Sequence, residues 1–186
     1  MWIVAVVLWS SLIALGARHL LAYEMEPGPA AATPSYWPKG LEIARPTGLP
    51  KLVMFAHPQC PCTAASLGEL ALLMAQCEGR VDAHVIFFAP ESPTDWRTSR
   101  LRKEAGAIRG VSVDDDREGE TAARFGVSTS GHTLLFNRDG VCVFSGGMTA
   151  ARGHAGDNTG RAALTSLLSG RVPRVTETPV YGCSIF

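Results

Sequence analysis

Two cysteines one residue apart, Cys60 and Cys62, carry the clearest chemical signal in the chain, and Pro61 stands between them. They follow the apolar run Leu52-Val53-Met54-Phe55-Ala56 and the polar break His57-Pro58-Gln59. Such a run reads as a buried strand. Leu67, Leu70, Leu73 and Met74, at three- and four-residue spacing, read as one buried helix face. Pro61 suits the first helical position, where its missing N–H costs nothing. Cys60 is then the expected N-cap. Unpaired N–H groups and the positive dipole end of the helix stabilise a thiolate there. Cys60 is therefore expected to be more acidic and more exposed than an ordinary thiol. Two chemistries use such a pair. In one, a dithiol–disulfide couple exchanges with partner proteins, Cys60 attacking and Cys62 resolving. A disulfide across one residue closes a small ring, and its strain raises its tendency to oxidise others. In the other, the thiols bind a soft metal.

The neighbours extend both readings. His57 sits where the strand ends, three residues before Cys60. It can act as a general base, donate to the thiolate, or serve as a metal ligand. The chain has five cysteines, too few for a disulfide-built scaffold, and the odd number leaves one thiol without an intramolecular partner. Cys77 and Cys142 lie in apolar helix and strand patterns and read as small buried hydrophobes. Cys183 lies in an extended, proline-broken final stretch. It can shuttle to Cys60, act as a ligand, pair between molecules, or have no role. Asp114, Asp115 and Asp116 lack calcium-loop spacing and read as a solvated loop. Asp157 is expected to cap the last helix, and His154 lies in the glycine-rich loop before it.

Lysine plus arginine and aspartate plus glutamate number 17 each among 186 residues. That balance offers no basic face, so no nucleic-acid partner is expected. Residues 1–23 are almost continuously apolar and approach the length of a spanning helix. Leu15 and Leu20 fall where a signal peptidase wants small residues, which favours an uncleaved anchor over a cleaved signal. Arg18 on the far flank argues against export. Thiol chemistry and a proline-rich spacer argue for an outer, oxidising compartment, and that placement is adopted. Residues 24–40 read as a Pro/Ala-rich linker, 41–170 as a folded domain, and 171–186 as an extended tail.

Within the domain the expected order is a strand (51–56), a helix (61–77), a strand (81–89), a helix (95–108), a short strand (111–113) and a short helix (118–125). A polar turn at 128–132 leads to a strand (133–136). An Asp-Gly hairpin turn at 137–140 and a returning strand (141–144) follow, and a last helix spans 158–168. A further edge strand is possible at 41–43. Alternation closed by an antiparallel hairpin gives an α/β fold with a mixed central sheet flanked by helices.

These features resemble the thioredoxin-like superfamily, and within it the membrane-anchored TlpA-like thiol:disulfide oxidoreductases. The carriers are the strand running into Cys60-Pro61-Cys62, the segment Ala123-Arg124-Phe125-Gly126-Val127, and Thr133-Leu134-Leu135-Phe136-Asn137-Arg138-Asp139-Gly140. The resemblance implies a three-layer thioredoxin-like sandwich preceded by an N-terminal transmembrane helix. It also implies protein thiols or disulfides as partners and no cofactor. The catalytic residues would be Cys60, Cys62 and His57. A soluble domain facing the periplasm from a bacterial-type inner membrane follows. Two departures stand out. The family has two residues between its cysteines, and here only Pro61 intervenes. The family also has a cis-proline before its Thr-Leu-Leu-Phe-type strand, where it helps hold an extended partner chain, and here Gly131 takes that place. Gly131, His132 and Pro61 become the expected substrate-binding residues. On the metal reading, Cys60, Cys62, His57 and His132 would form a Cys2His2 set for copper or zinc.

Overall fold

The computed structural model describes residues 2–41, 43–91 and 96–186, without the side chain of Arg97. Glu42, in the possible edge strand, and residues 92–95, at the break and start of the expected 95–108 helix, lie outside the described residues. Five strands form one sheet: β1 (Lys51–Ala56), β2 (Asp82–Ala89), β3 (Val111–Arg117), β4 (Thr133–Phe136) and β5 (Cys142–Gly146). Their spatial order is β3-β2-β1-β4-β5. β1, β2 and β3 run parallel, while β4 is antiparallel to β1 and β5 to β4.

Every residue of β1 is buried, as the continuous apolar run requires of a strand covered on both faces. Leu52, Met54 and Ala56 point to one face. There they meet α2 (Pro61–Gln76), α3 (Arg100–Gly106) and α5 (Thr159–Leu168) through Leu67, Leu70, Leu101 and Leu164. Val53 and Phe55 point to the other face. They pack with Ala122 and Phe125, at and just beyond α4 (Glu120–Arg124), and with Trp37, whose ring meets Phe125 and Phe136 edge-on at 5.2 and 5.1 Å. The result is a three-layer sandwich with helices on both faces of the sheet.

Three expectations are corrected. β3 is seven residues long and takes in Asp114, Asp115 and Asp116. Each aspartate has a partner that a solvated loop would lack. Asp114 meets His84 at 2.6 Å and Asp115 meets Arg102 at 2.7 Å. The buried Asp116 carboxylate accepts from the Thr121 and Ala122 N–H groups at the start of α4. Second, α5 is capped by Asn158, whose Oδ1 accepts the Arg161 N–H at 2.7 Å. Asp157 is exposed and pairs with the Arg161 guanidinium. Third, Leu41 and Ile43 are not strand residues and pack against the second core cluster.

α1 (Trp2–Glu24) has no buried residue and is long and apolar enough to cross a membrane. The chain after it lies along the domain. Gly28 N–H donates to the Val180 carbonyl, Trp37 N–H to the Gly140 carbonyl, and Cys142 N–H to the Ser35 carbonyl. The chain after α5 also returns to the sheet. Ser145 N–H donates to the Thr176 carbonyl and Thr178 N–H to the Ser145 carbonyl. These contacts cover the outer edge of β5, which would otherwise present open ladder groups.

Candidate active site

β1 delivers the chain to the head of α2 through a tight turn. Cys60 N–H donates to the His57 carbonyl at 3.1 Å, and Gln59 N–H donates to His57 Nδ1 at 3.2 Å. Cys60 is the N-cap of α2 and Pro61 its first residue. The loop 128–132 is fastened to this turn. Ser130 Oγ accepts the His57 N–H at 2.9 Å and shares a hydrogen bond of 2.9 Å with Thr63 Oγ1. Gly131 N–H donates to the Phe55 carbonyl and Phe55 N–H to the His132 carbonyl, so the β1–β4 ladder continues into the loop.

Three thiols meet here. The sulfurs of Cys60, Cys62 and Cys183 all lie within 4.8 Å of one another. Cys60 Sγ is 2.9 Å from Cys183 Sγ, and the Cys183 N–H points at the Cys60 sulfur from 3.4 Å. Cys60 is only 1% exposed. The expected exposed thiol is therefore a covered one, because the last segment of the chain lies against it.

The three sulfurs differ in acidity. Burial is the largest single influence on Cys60 and opposes its thiolate. The thiol and N–H of Cys183 outweigh it, with help from the Cys62 N–H and the Thr63 hydroxyl, and Cys60 is held below the ordinary thiol range. Burial and the neighbouring Cys60 charge push Cys62 up. Burial, the hydrogen bond to Cys60 and the charges of Cys60 and Cys62 push Cys183 up to about 12. Arg152 pulls both of these back. Its Nη1 donates to the Gly182 carbonyl at 2.6 Å. Cys60 is thus the first of the three sulfurs to give up its proton in the reduced site.

No family model and no curated protein matches this sequence. Solved structures do match in shape. An uncharacterized conserved protein from Geobacillus kaustophilus aligns at 22% identity over 87% of this chain and 92% of its own, with a TM-score of 0.62. A hypothetical protein from Sinorhizobium meliloti 1021 aligns at 18% identity over 87% and 97%, with a TM-score of 0.65. A secreted Mycobacterium tuberculosis disulfide oxidoreductase aligns at 16% identity over 67% and 83%, with a TM-score of 0.46. Three parallel strands precede an antiparallel pair, and a cysteine pair opens the helix after the central strand. The fold is thioredoxin-like.

Within the thioredoxin-like frame, each expected site residue has a definite place. Pro61 is exposed beside the buried Cys60 and Cys62. Gly131 sits at φ +89° against α2, where an added Cβ would stand 2.9 Å from Ser66 Oγ. His57 is half-buried, and its ring stacks on Phe88 at 5.7 Å. Burial lowers its pKa. With Nδ1 accepting the Gln59 N–H, its visible work is to hold the turn that presents Cys60. His154 Nδ1–H donates within its own loop, to the Arg152 carbonyl at 2.9 Å. Among the described residues, no histidine belongs to the close thiol group. Cys60 and Cys62 are brought together as the metal reading asks, but Cys183 stands where His57 and His132 were expected. Arg152 and Ser130 were missed by sequence reasoning. Neither has a motif, and both matter through contacts that only the fold creates.

His132 is 4% exposed, bonds Ser145 Oγ through Nε2 at 2.9 Å, and has no partner for its buried Nδ1 among the described residues. Burial holds its pKa down to about 4. The unfolded chain takes up this proton near an ordinary histidine pKa, while the folded chain resists until well below it. Fewer protons are bound when folded, so stability is lost as pH falls through that window. Urea denaturation should show a loss of about 2 kcal/mol between about pH 7 and pH 5, much reduced in His132→Gln. An equal pH slope in the two proteins would contradict a buried neutral imidazole.

Proposed function

We propose that this chain catalyses thiol–disulfide exchange with partner proteins, with Cys60 as the attacking sulfur. The observation that carries the reading is the set of three close thiols at the head of α2, of which only Cys60 is held below the ordinary thiol range. A thiolate is the attacking species in such exchange, and a neighbouring thiol is needed to release the mixed disulfide. Cys62 and Cys183 both stand within reach of that second step. His57 orients the Cys60 turn, and Pro61, Gly131 and His132 would be the residues that meet the partner chain. α1 would hold the domain at a bacterial-type inner membrane on the periplasmic side. That side is the oxidising compartment in which exchange of protein disulfides takes place.

The test is a redox titration. Equilibrated in glutathione buffers, the protein should pass between a reduced form and a form with one disulfide that contains Cys60. A Cys60 that stays unpaired across the whole range of potential would refute the reading.

The closeness of three sulfurs also favours a second reading, in which Cys60, Cys62 and Cys183 hold copper(I) or zinc. Such a site would be resident, so the purified reduced protein would carry one equivalent that Cys60→Ser loses. Competition with a chelator of known affinity measures it. Binding no tighter than that of the Cys60→Ser protein removes this alternative.

A further inference from the structure

Residues 180–186 lie across the cysteine site and pair with the loop 128–130 through one antiparallel bridge. Ser130 N–H donates to the Cys183 carbonyl at 2.8 Å, and Ile185 N–H donates to the Ser128 carbonyl at 2.9 Å. Thr129 and Ser184 form the antiparallel bridge between these bonds. Gly131, the residue in the place where the thioredoxin-like resemblance puts the partner-holding proline, follows this pairing directly. An extended partner presenting its own sulfur to Cys60 would use the same backbone groups of Ser128 and Ser130. The chain supplies its own sulfur there instead.

The seat is built to fit. Gly182 passes so close to the Ser130 carbonyl that a Cβ would collide with backbone. Arg152 clamps the Gly182 carbonyl, and Gly28 N–H holds the Val180 carbonyl. Ile185 is buried in the second core cluster, and the Phe186 ring packs near Phe88 at 6.5 Å. The segment buries an apolar side chain and covers the attacking sulfur.

We propose that residues 180–186 are a tethered partner strand, with Cys183 the thiol that pairs with Cys60 and the segment the cover a partner chain must displace. This deepens, and rests on, the exchange reading above. The steps balance as follows. With the segment lifted, Cys60 loses its cover and its Cys183 donors together, and its thiolate, still at the N-terminus of α2, attacks one sulfur of a partner disulfide. A Cys60–partner bond forms, and the other partner sulfur leaves with the electron pair and takes a proton from water. Cys183 then loses its proton and attacks the Cys60 sulfur. The Cys60–Cys183 bond forms, and the second partner sulfur leaves as a thiolate. The partner gains two electrons and this chain loses two, which an external dithiol returns. The segment and the partner strand compete for the same backbone groups, so resolution and release of the partner are one event.

The experiment combines peptide mass mapping of the oxidised full chain with two variants. The expected disulfide is Cys60–Cys183, and it should still form in Cys62→Ser. Cys183→Ser should slow reduction of insulin by at least about tenfold and accumulate the mixed disulfide at Cys60. Gly182→Ala keeps every thiol but cannot seat the segment. It should raise the alkylation rate of Cys60 by about tenfold or more, with unchanged circular dichroism, because the covered state no longer limits access. A sole Cys60–Cys62 disulfide with wild-type turnover in Cys183→Ser would overturn the tail's role and leave exchange by the site standing. Unchanged alkylation in Gly182→Ala would overturn the cover. A Cys60 that forms no disulfide with any thiol overturns both the tail's role and the exchange reading.

Discussion

Cys60→Ser loses insulin reduction by roughly a thousandfold or more, the scale seen when a covalent nucleophile is removed. Exchange needs an attacking thiolate, and the geometry lowers the pKa of only one of the three grouped sulfurs. Serine is nearly isosteric, so the N-cap, the turn from His57 and the packing against Cys183 remain, but a hydroxyl does not ionise at neutral pH. Cys62 and Cys183 do not replace it. Both are harder to deprotonate than Cys60, and the loop 128–130 would present its partner to residue 60. A turbidity assay with purified wild type and variant measures the loss. A variant retaining a tenth or more of the rate would mean that another sulfur attacks first.

Glu69→Ala lowers folding stability by about 3–5 kcal/mol, the cost of leaving a buried charge without its partner. Glu69 lies on α2 and is 1% exposed. Its carboxylate takes the Arg161 Nε–H at 2.6 Å, an Asn158 side-chain N–H at 3.0 Å and the Gly156 N–H at 2.7 Å. Alanine removes both acceptor oxygens and all three hydrogen bonds, and leaves the Arg161 guanidinium, only 16% exposed, with exposed Asp157 alone. The effect reaches the site, because the same carboxylate anchors the loop that carries Arg152. Glu78→Ala is the control. Glu78 pairs with Arg109 in the open, where such a pair is worth about 0.5 kcal/mol or less. Urea denaturation separates the two. Equal midpoints would show that the Glu69 network adds nothing beyond a surface ion pair.

The parts of the fold set by local physics were legible in the sequence. β1 announced itself as an apolar run, α2 by its leucine spacing and Pro61, and β4 and β5 by the Asp139-Gly140 turn between them. Features that depend on distant partners were not. Nothing local shows that Asp114, Asp115 and Asp116 meet His84, Arg102 and the N–H groups of α4, so three strand residues read as a loop. Asp157 and Asn158 are both good capping types, and only the reach of the Asn158 Oδ1 to the Arg161 N–H decides between them. The site divides in the same way. The helix-capping place of Cys60 was readable, since it follows from residues within one turn. Its acidity was expected from the helix start, yet the contacts that most favour the thiolate come from Cys183, 123 residues away. Its exposure was misjudged for the same reason, since the covering segment arrives from the far end of the chain.

Exchange at this site rests on Cys60 being its most acidic sulfur. Ultraviolet thiolate absorbance, followed with pH in the reduced protein and in Cys60→Ser, measures this without needing a reagent to reach a buried sulfur. The difference between the two curves should rise at a pH clearly below that of an ordinary cysteine. A difference that rises at or above the ordinary cysteine pKa would contradict the account.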